Sequence, residues 1–133
     1  MINKLIEQAV KATERSYSPY SSFKVGAALL TKNGKIFTGC NIENASFSPT
    51  VCAERVAFFK ALSEGEREFT AIAIVGGKNE VGKEPCAPCG VCRQVMTEFC
   101  NPNEFKIILP HQNGNDEYLL KELMPLSFNG EKL

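Results

Sequence analysis

Two stretches of this chain concentrate residues able to do chemistry. "PTVCAERVAFF" places Cys52 two residues before Glu54, at the expected start of a helix. "EPCAPCGVCRQVMTEF" places Cys86, Cys89 and Cys92 at steps of three, at the expected start of another. Residues three apart on a helix share a face, so two such sulfurs can reach one ion. A third thiolate from the other helix start would complete a three-sulfur site. Helix N-termini carry partial positive charge, which favours thiolate over thiol. Zinc in a structural site takes four protein ligands, and in a catalytic site three plus water. The single histidine, His111, follows an expected strand far in sequence from the cysteines and is expected to be solvated. The ligands are therefore expected to be cysteines.

Glu54 separates the two kinds of zinc site. Two residues along a helix turn through about 200°, so Cys52 and Glu54 do not share a helix face. They meet only at the helix tip, where a carboxylate not bound to metal can move protons. That is the pattern of a catalytic zinc. A closed structural module using Cys52, Cys86, Cys89 and Cys92, serving to bind another protein, is the rival reading, and it leaves Glu54 without work. Three thiolates on a divalent zinc leave a net negative charge, which blunts its power to acidify water. Arg55 is the expected compensating cation, donating hydrogen bonds to cysteine sulfurs.

The elements that must position these groups follow from pattern. Ile2, Leu5, Ile6, Ala9, Val10 and Thr13 recur at helical spacing over residues 2–15. "KVGAALLTKNGKIFTGCNIENAS" reads as two strands joined at Asn33-Gly34, a favoured tight-turn dipeptide. A helix is expected over about residues 52–64, stopping at Gly65. "FTAIAIVGG" suits a strand buried on both faces. A loop over 76–88, a helix over about 89–99, the strand "FKIILP", a short strand in "NGNDEYLL" and a brief terminal helix in "LKELMPLSF" complete the chain. This order implies an α/β fold, a mixed sheet with helices packed on it.

Composition narrows the function further. The chain has 133 residues, which suits one domain, 1–133, with a core of its own. Fifteen basic and fifteen acidic residues cancel, with no block of like charge, against a nucleic-acid partner or substrate. No run approaches the roughly eighteen apolar residues of a membrane span. The amphipathic N-terminus lacks the unbroken apolar run of a signal peptide, so a cytoplasmic protein is expected. In that reducing compartment six cysteines point to metal or catalysis before cross-links. Cys40 and Cys100 are expected to be small core residues.

"CAER" followed by "PCGVCRQV" resembles the small homotetrameric cytidine deaminases. The resemblance runs over nearly the whole chain, through "YSPYSSFKVGAAL", "TGCNIENAS" and "LMPLSF". The zinc deaminases include a three-cysteine type with a non-ligand glutamate and a P-C-x-x-C motif. The resemblance implies a three-layer α/β/α fold with a mixed five-stranded sheet, and hydrolytic deamination of cytidine or deoxycytidine. It implies one zinc per subunit on Cys52, Cys89 and Cys92, with Glu54 as proton shuttle. Phe23, Asn41 and Glu43 would bind nucleoside, the latter two at the ribose hydroxyl. Neighbouring subunits would complete each site through Ala45, Phe47 and Phe128, with Phe128 against the base. Asn41 and Glu43, two apart at a strand end, are expected to face the same side. A deaminase of blasticidin S type is the nearest rival.

Two frames fit the cysteine motif: Pro85-Cys86-Ala87-Pro88-Cys89 and Pro88-Cys89-Gly90-Val91-Cys92. Val91, Val95 and Phe99 repeat at four-residue steps with Cys92 and Met96 beside them, so this stripe is expected to face the core. Cys92 then lies near the buried face, Cys89 a turn away, and Pro88 near the first helical position, where proline is tolerated. "RQV" matches the resembled family in this second frame only. Cys86 is expected to be a spare thiol in a loop.

Overall fold

The computed structural model describes the backbone of residues 1–133 and every side chain but that of Lys132. The chain forms α1 (Ile2–Ala12), β1 (Lys24–Thr31), β2 (Ile36–Cys40), α2 (Ala53–Ser63), β3 (Phe69–Gly77), α3 (Gly90–Phe99), β4 (Lys106–His111), β5 (Gly114–Leu119) and α4 (Leu120–Leu123). The strands make one sheet in the order β2-β1-β3-β4-β5. Only β3 and β4 run parallel, and α3 is the crossover between them. The other neighbours are antiparallel.

β3 shows how sequence alternation builds the layers. Ala71, Ala73 and Val75 face α1, where they pack with Leu5, Ala9, Ala28 and Ile108. Ile72 and Ile74 face the other side, among Ala57, Phe58 and Ala61 of α2, Met96 of α3 and Leu120 of α4. Period-two alternation thus produces a continuous apolar run when both faces are covered. The result is three layers: α1, the sheet, then α2 with α3 and α4. Phe58 anchors the larger core, meeting Phe69 edge-on at 5.2 Å and Phe105 at 6.1 Å between ring centres.

Gly39 sets how closely α2 lies on the sheet. A Cβ there would sit 2.3 Å from the Ala53 carbonyl oxygen and 2.6 Å from the Ala57 nitrogen. The first turn of α2, which carries Glu54, therefore rests directly on the backbone of β2.

Several expected details are corrected. The first helix ends at Ala12, and residues 13–15 tighten into a 3₁₀ turn. The buried stripe of α3 is Cys92 and Met96, with Cys100 beyond; Val91 is 58% exposed. Two adjacent stripes share one period, so spacing alone cannot choose between them, and packing under the sheet does. Pro88 stands two residues before Gly90, the first residue of α3, and outside the helix. Cys100 is buried, but Cys40 is only half-buried, its thiol donating to the Arg15 carbonyl at 3.3 Å. His111 is not freely solvated: its Nε2 lies 3.3 Å from Asp116 Oδ1 across the β4–β5 hairpin.

Candidate metal centre

The N-termini of α2 and α3 converge. Cys52 and Cys89 each occupy the N-cap, in extended backbone, and neither side chain caps its own helix. Their sulfurs are thus free to turn toward each other, 3.6 Å apart. Cys92, in the first turn of α3, lies 3.6 Å from Cys89. All three sulfurs fall within 4.8 Å of one another, and this is the one such cluster of possible ligands among the described residues. Tetrahedral zinc with Zn–S bonds of about 2.3 Å would hold its sulfurs roughly 3.8 Å apart. The donor set, its spacing and the two helix N-termini behind it all fit the ion.

Burial and charge have shaped the surroundings. Arg55 Nη2 lies 3.5 Å from Cys52 Sγ and donates to it. Hydrogen bonds from Cys92 first, then Arg55 and Cys89, draw the Cys52 thiol down to about 5. The Cys92 thiol is pushed up, first by its bond to Cys52 and then by burial. Glu54 is 4% exposed, and its Oε1 has no hydrogen-bond partner in the protein. An orphaned buried carboxylate oxygen costs free energy unless something outside the chain satisfies it. Burial, and then the Cys52 charge, raises the Glu54 carboxyl from 4.5 to about 7. A carboxyl poised there can both take and give a proton near neutral pH.

Cys86 stays outside the sulfur cluster. Its sulfur lies over Gly76 at the end of β3, where a Cβ would come within 2.7 Å of it and within 2.8 Å of the Phe23 ring. Glycine at 76 thus lets Cys86 and Phe23 close over the strand end. Both border a cleft of about 450 Å³. Burial, then the charges of Glu54 and Cys52, raises the Cys86 thiol to about 11, leaving it protonated.

Asn41 and Glu43 do face one side, and both reach the segment before β1. Asn41 Oδ1 accepts from the Val25 nitrogen at 2.9 Å and from the Ser16 hydroxyl, while Nδ2 donates to the Phe23 carbonyl at 2.8 Å. Glu43 accepts from the backbone nitrogens of Tyr20 and Ser21 at 2.9 and 3.2 Å and from the Ser21 hydroxyl. The Ser21 bond leads in holding the Glu43 carboxyl below its usual range. These bonds hold the loop that presents Phe23. Ser16 and Ser21, which no motif singles out, belong to the run of hydroxyls in "SYSPYSSF" and hold Asn41 and Glu43 in place.

Ala45, Phe47 and Phe128 are all exposed in the single chain, Phe47 at 74% and Phe128 at 58%. Three non-glycine residues adopt positive φ: Ser22 (60°), Phe47 (62°) and Leu126 (53°). Each is, or lies within two residues of, a residue expected to touch nucleoside. Left-handed backbone at such residues costs on the order of 1–3 kcal/mol each and gathers at functional sites.

The family model described as "Cytidine and deoxycytidylate deaminase zinc-binding region" matches residues 1–107. The chain is 47% identical over 133 residues to a cytidine deaminase of Sporosarcina psychrophila, a match covering 99% of this chain and 94% of that one. The crystal structure of cytidine deaminase from Burkholderia pseudomallei superposes with a TM-score of 0.87 at 47% identity, covering 96% of this chain and 99% of that one. A blasticidin-S deaminase of Bacillus cereus is more distant, 34% identical over 130 residues, 92% of this chain and 91% of that one.

Proposed function

Because the chain belongs to the cytidine and deoxycytidylate deaminase family, we propose that it hydrolyses cytidine and deoxycytidine to uridine and deoxyuridine, releasing ammonia, with Glu54 as the proton carrier. The observation that carries this assignment of Glu54 is its unpartnered, buried carboxylate oxygen beside three converging sulfurs. Cys52, Cys89 and Cys92 would hold zinc. When bound, zinc supplies a water acidified to near neutrality. Glu54 accepts a proton from that water and gives it to ring N3, which makes C4 electrophilic as the C4–O bond forms. Glu54 then takes the hydroxyl proton and delivers it to the exocyclic amine. The C4–N bond breaks, ammonia leaves and C4 becomes a carbonyl. Arg55 donates to Cys52, drawing off sulfur charge that would oppose acidification of the water.

Phe23 is proposed to pack on the nucleoside, with Asn41 and Glu43 at the ribose. Glu43 Oε1 already accepts from two backbone nitrogens, while Oε2 accepts only from the Ser21 hydroxyl and keeps acceptor capacity for a sugar hydroxyl. Asn41 Oδ1 is filled by the chain and one Nδ2 hydrogen goes to the Phe23 carbonyl, so Asn41 fixes Phe23 and has one amide hydrogen to offer the sugar. The activity test is direct: purified protein incubated with cytidine should yield uridine and ammonia in equal amounts. Faster turnover of blasticidin S than of cytidine would transfer the assignment to the rival substrate.

The assembly is proposed to be a homotetramer with shared sites, in the cytoplasm. Six free thiols and the absence of any helix long and apolar enough to cross a membrane, among the described residues, are compatible with that compartment. The exposed aromatics Phe47, Phe59 and Phe128 are available for subunit contacts, in which aromatic rings are enriched. A Phe128→Ala protein should bind cytidine more weakly yet keep its zinc. Mixed with a Glu54→Gln protein under subunit exchange, it should recover part of the activity, since hybrid assemblies contain sites with both native residues. Proven exchange without recovery would confine each site to one chain.

A further inference from the structure

We infer that Gln94 is a positioning residue that sets the place of Phe128 for the nucleoside base. The inference rests on the reading of Phe128 as the residue against the base. α3 carries two functions on consecutive turns. Its N-cap and first turn hold Cys89 and Cys92, and the next two residues, Arg93 and Gln94, grip the C-terminal segment. Arg93 Nε donates to the Pro88 carbonyl at 2.8 Å, one residue before Cys89. Its Nη1 donates to the Leu123 carbonyl at 2.7 Å, at the end of α4, where a helix leaves carbonyls without helical partners. Gln94 Nε2 then donates to the carbonyl of Phe128 itself at 2.8 Å.

The segment beyond α4 has little else to hold it. Among the described residues, apart from the local bond in which Asn129 Oδ1 accepts from the Glu131 nitrogen, the Gln94 bond is the only hydrogen bond joining residues 125–129 to the rest of the protein. Leu126 is fully exposed and in the left-handed region, and Pro125 is exposed. Burial therefore does not fix the tail at those positions. With Arg93 at one end of the segment and Gln94 at the other, the backbone of Phe128 is registered against the same helix that presents two metal ligands. In the shared-site assembly, one helix then serves two sites: the metal of its own and the base contact of a neighbour's.

The test is Gln94→Met, which keeps length and loses the donor. One hydrogen bond of about 0.5–1.5 kcal/mol corresponds to roughly a two- to tenfold change in affinity. In the zinc-loaded protein, KM for cytidine should rise by roughly that factor, with kcat within about twofold and zinc content unchanged. Amide hydrogen exchange in residues 124–129 should quicken. Gln94→Lys, which restores a donor, should recover much of the KM. In a Phe128→Ala background Gln94→Met should add nothing further. If Phe128→Ala raises KM and Gln94→Met does not, or if the two effects simply add, the positioning role is overturned while the reading of Phe128 stands. If exchange quickens but neither variant changes KM, the reading of Phe128 falls and the role of Gln94 in binding falls with it.

Discussion

Glu54→Gln is expected to keep one zinc per chain and the native fold while losing about 10⁴-fold or more in kcat. A positioned acid–base group contributes typically 10²–10⁴-fold, and Glu54 would act in two successive transfers. Glutamine matches its size, so the packing of the first turn of α2 against Gly39 is undisturbed. A second readout of the same variant reports the environment of the carboxyl. The folded zinc-free protein holds the Glu54 proton up to about pH 7, whereas the unfolded chain releases it near 4.5. Between those values the folded state binds more protons, so the Glu54 contribution to stability falls as pH rises. Relative to Glu54→Gln, the zinc-free native protein should lose about 3 kcal/mol between pH 4 and pH 8. Urea titrations of both proteins at the two pH values measure it. Near-normal turnover, loss of zinc, or a stability difference independent of pH would each count against the assigned role.

Cys89→Ala and Cys92→Ala are expected to abolish metal binding and with it essentially all activity, whereas Cys86→Ala keeps one zinc per chain and most turnover. Removing either ligand leaves two sulfurs, and no further histidine, cysteine or carboxylate joins the cluster among the described residues. Cys86 is directed over Gly76 and toward Phe23, and burial keeps its thiol protonated. Its loss removes one apolar contact from the wall of the cleft. Metal analysis of the three purified variants decides. A metal-free Cys86→Ala protein beside a loaded Cys92→Ala protein would move the motif to the other frame.

Much of this centre was legible in the residues. Cysteines at two helix starts, with a glutamate two residues into one of them, announced a tip-to-tip site, and α2 and α3 do begin immediately after Cys52 and Cys89. The hairpin at Asn33-Gly34 and the doubly buried β3 followed from turn chemistry and from an unbroken apolar run. What escaped was what only packing decides. Val91 and Cys92 begin two equally periodic stripes, and the choice between them depends on which side of α3 meets the sheet. Cys40 and His111 could not be placed because their environments are made by residues distant in sequence, Arg15 for one and the return strand β5 for the other. The grip of Arg93 and Gln94 was hidden for the same reason: its acceptors are main-chain carbonyls some thirty residues away, 30 for Arg93 and 34 for Gln94, and a carbonyl has no letter in a sequence.

The placement of the thiols also orders the events of folding. Cys52 and Cys89 are 37 residues apart, and the chain between them makes α2 and the central strand β3. Cys89 and Cys92 are neighbours and can hold an ion early, but the third sulfur arrives only when β3 has slotted between β1 and β4. That long-range step is the slow part of building such a sheet. Closing a loop of this length by a cross-link removes conformational freedom from the unfolded chain worth about 4 kcal/mol. A bound ion would thus act as a latch that engages only on a finished sheet, so a chain that holds it through all three thiols has already passed its own inspection.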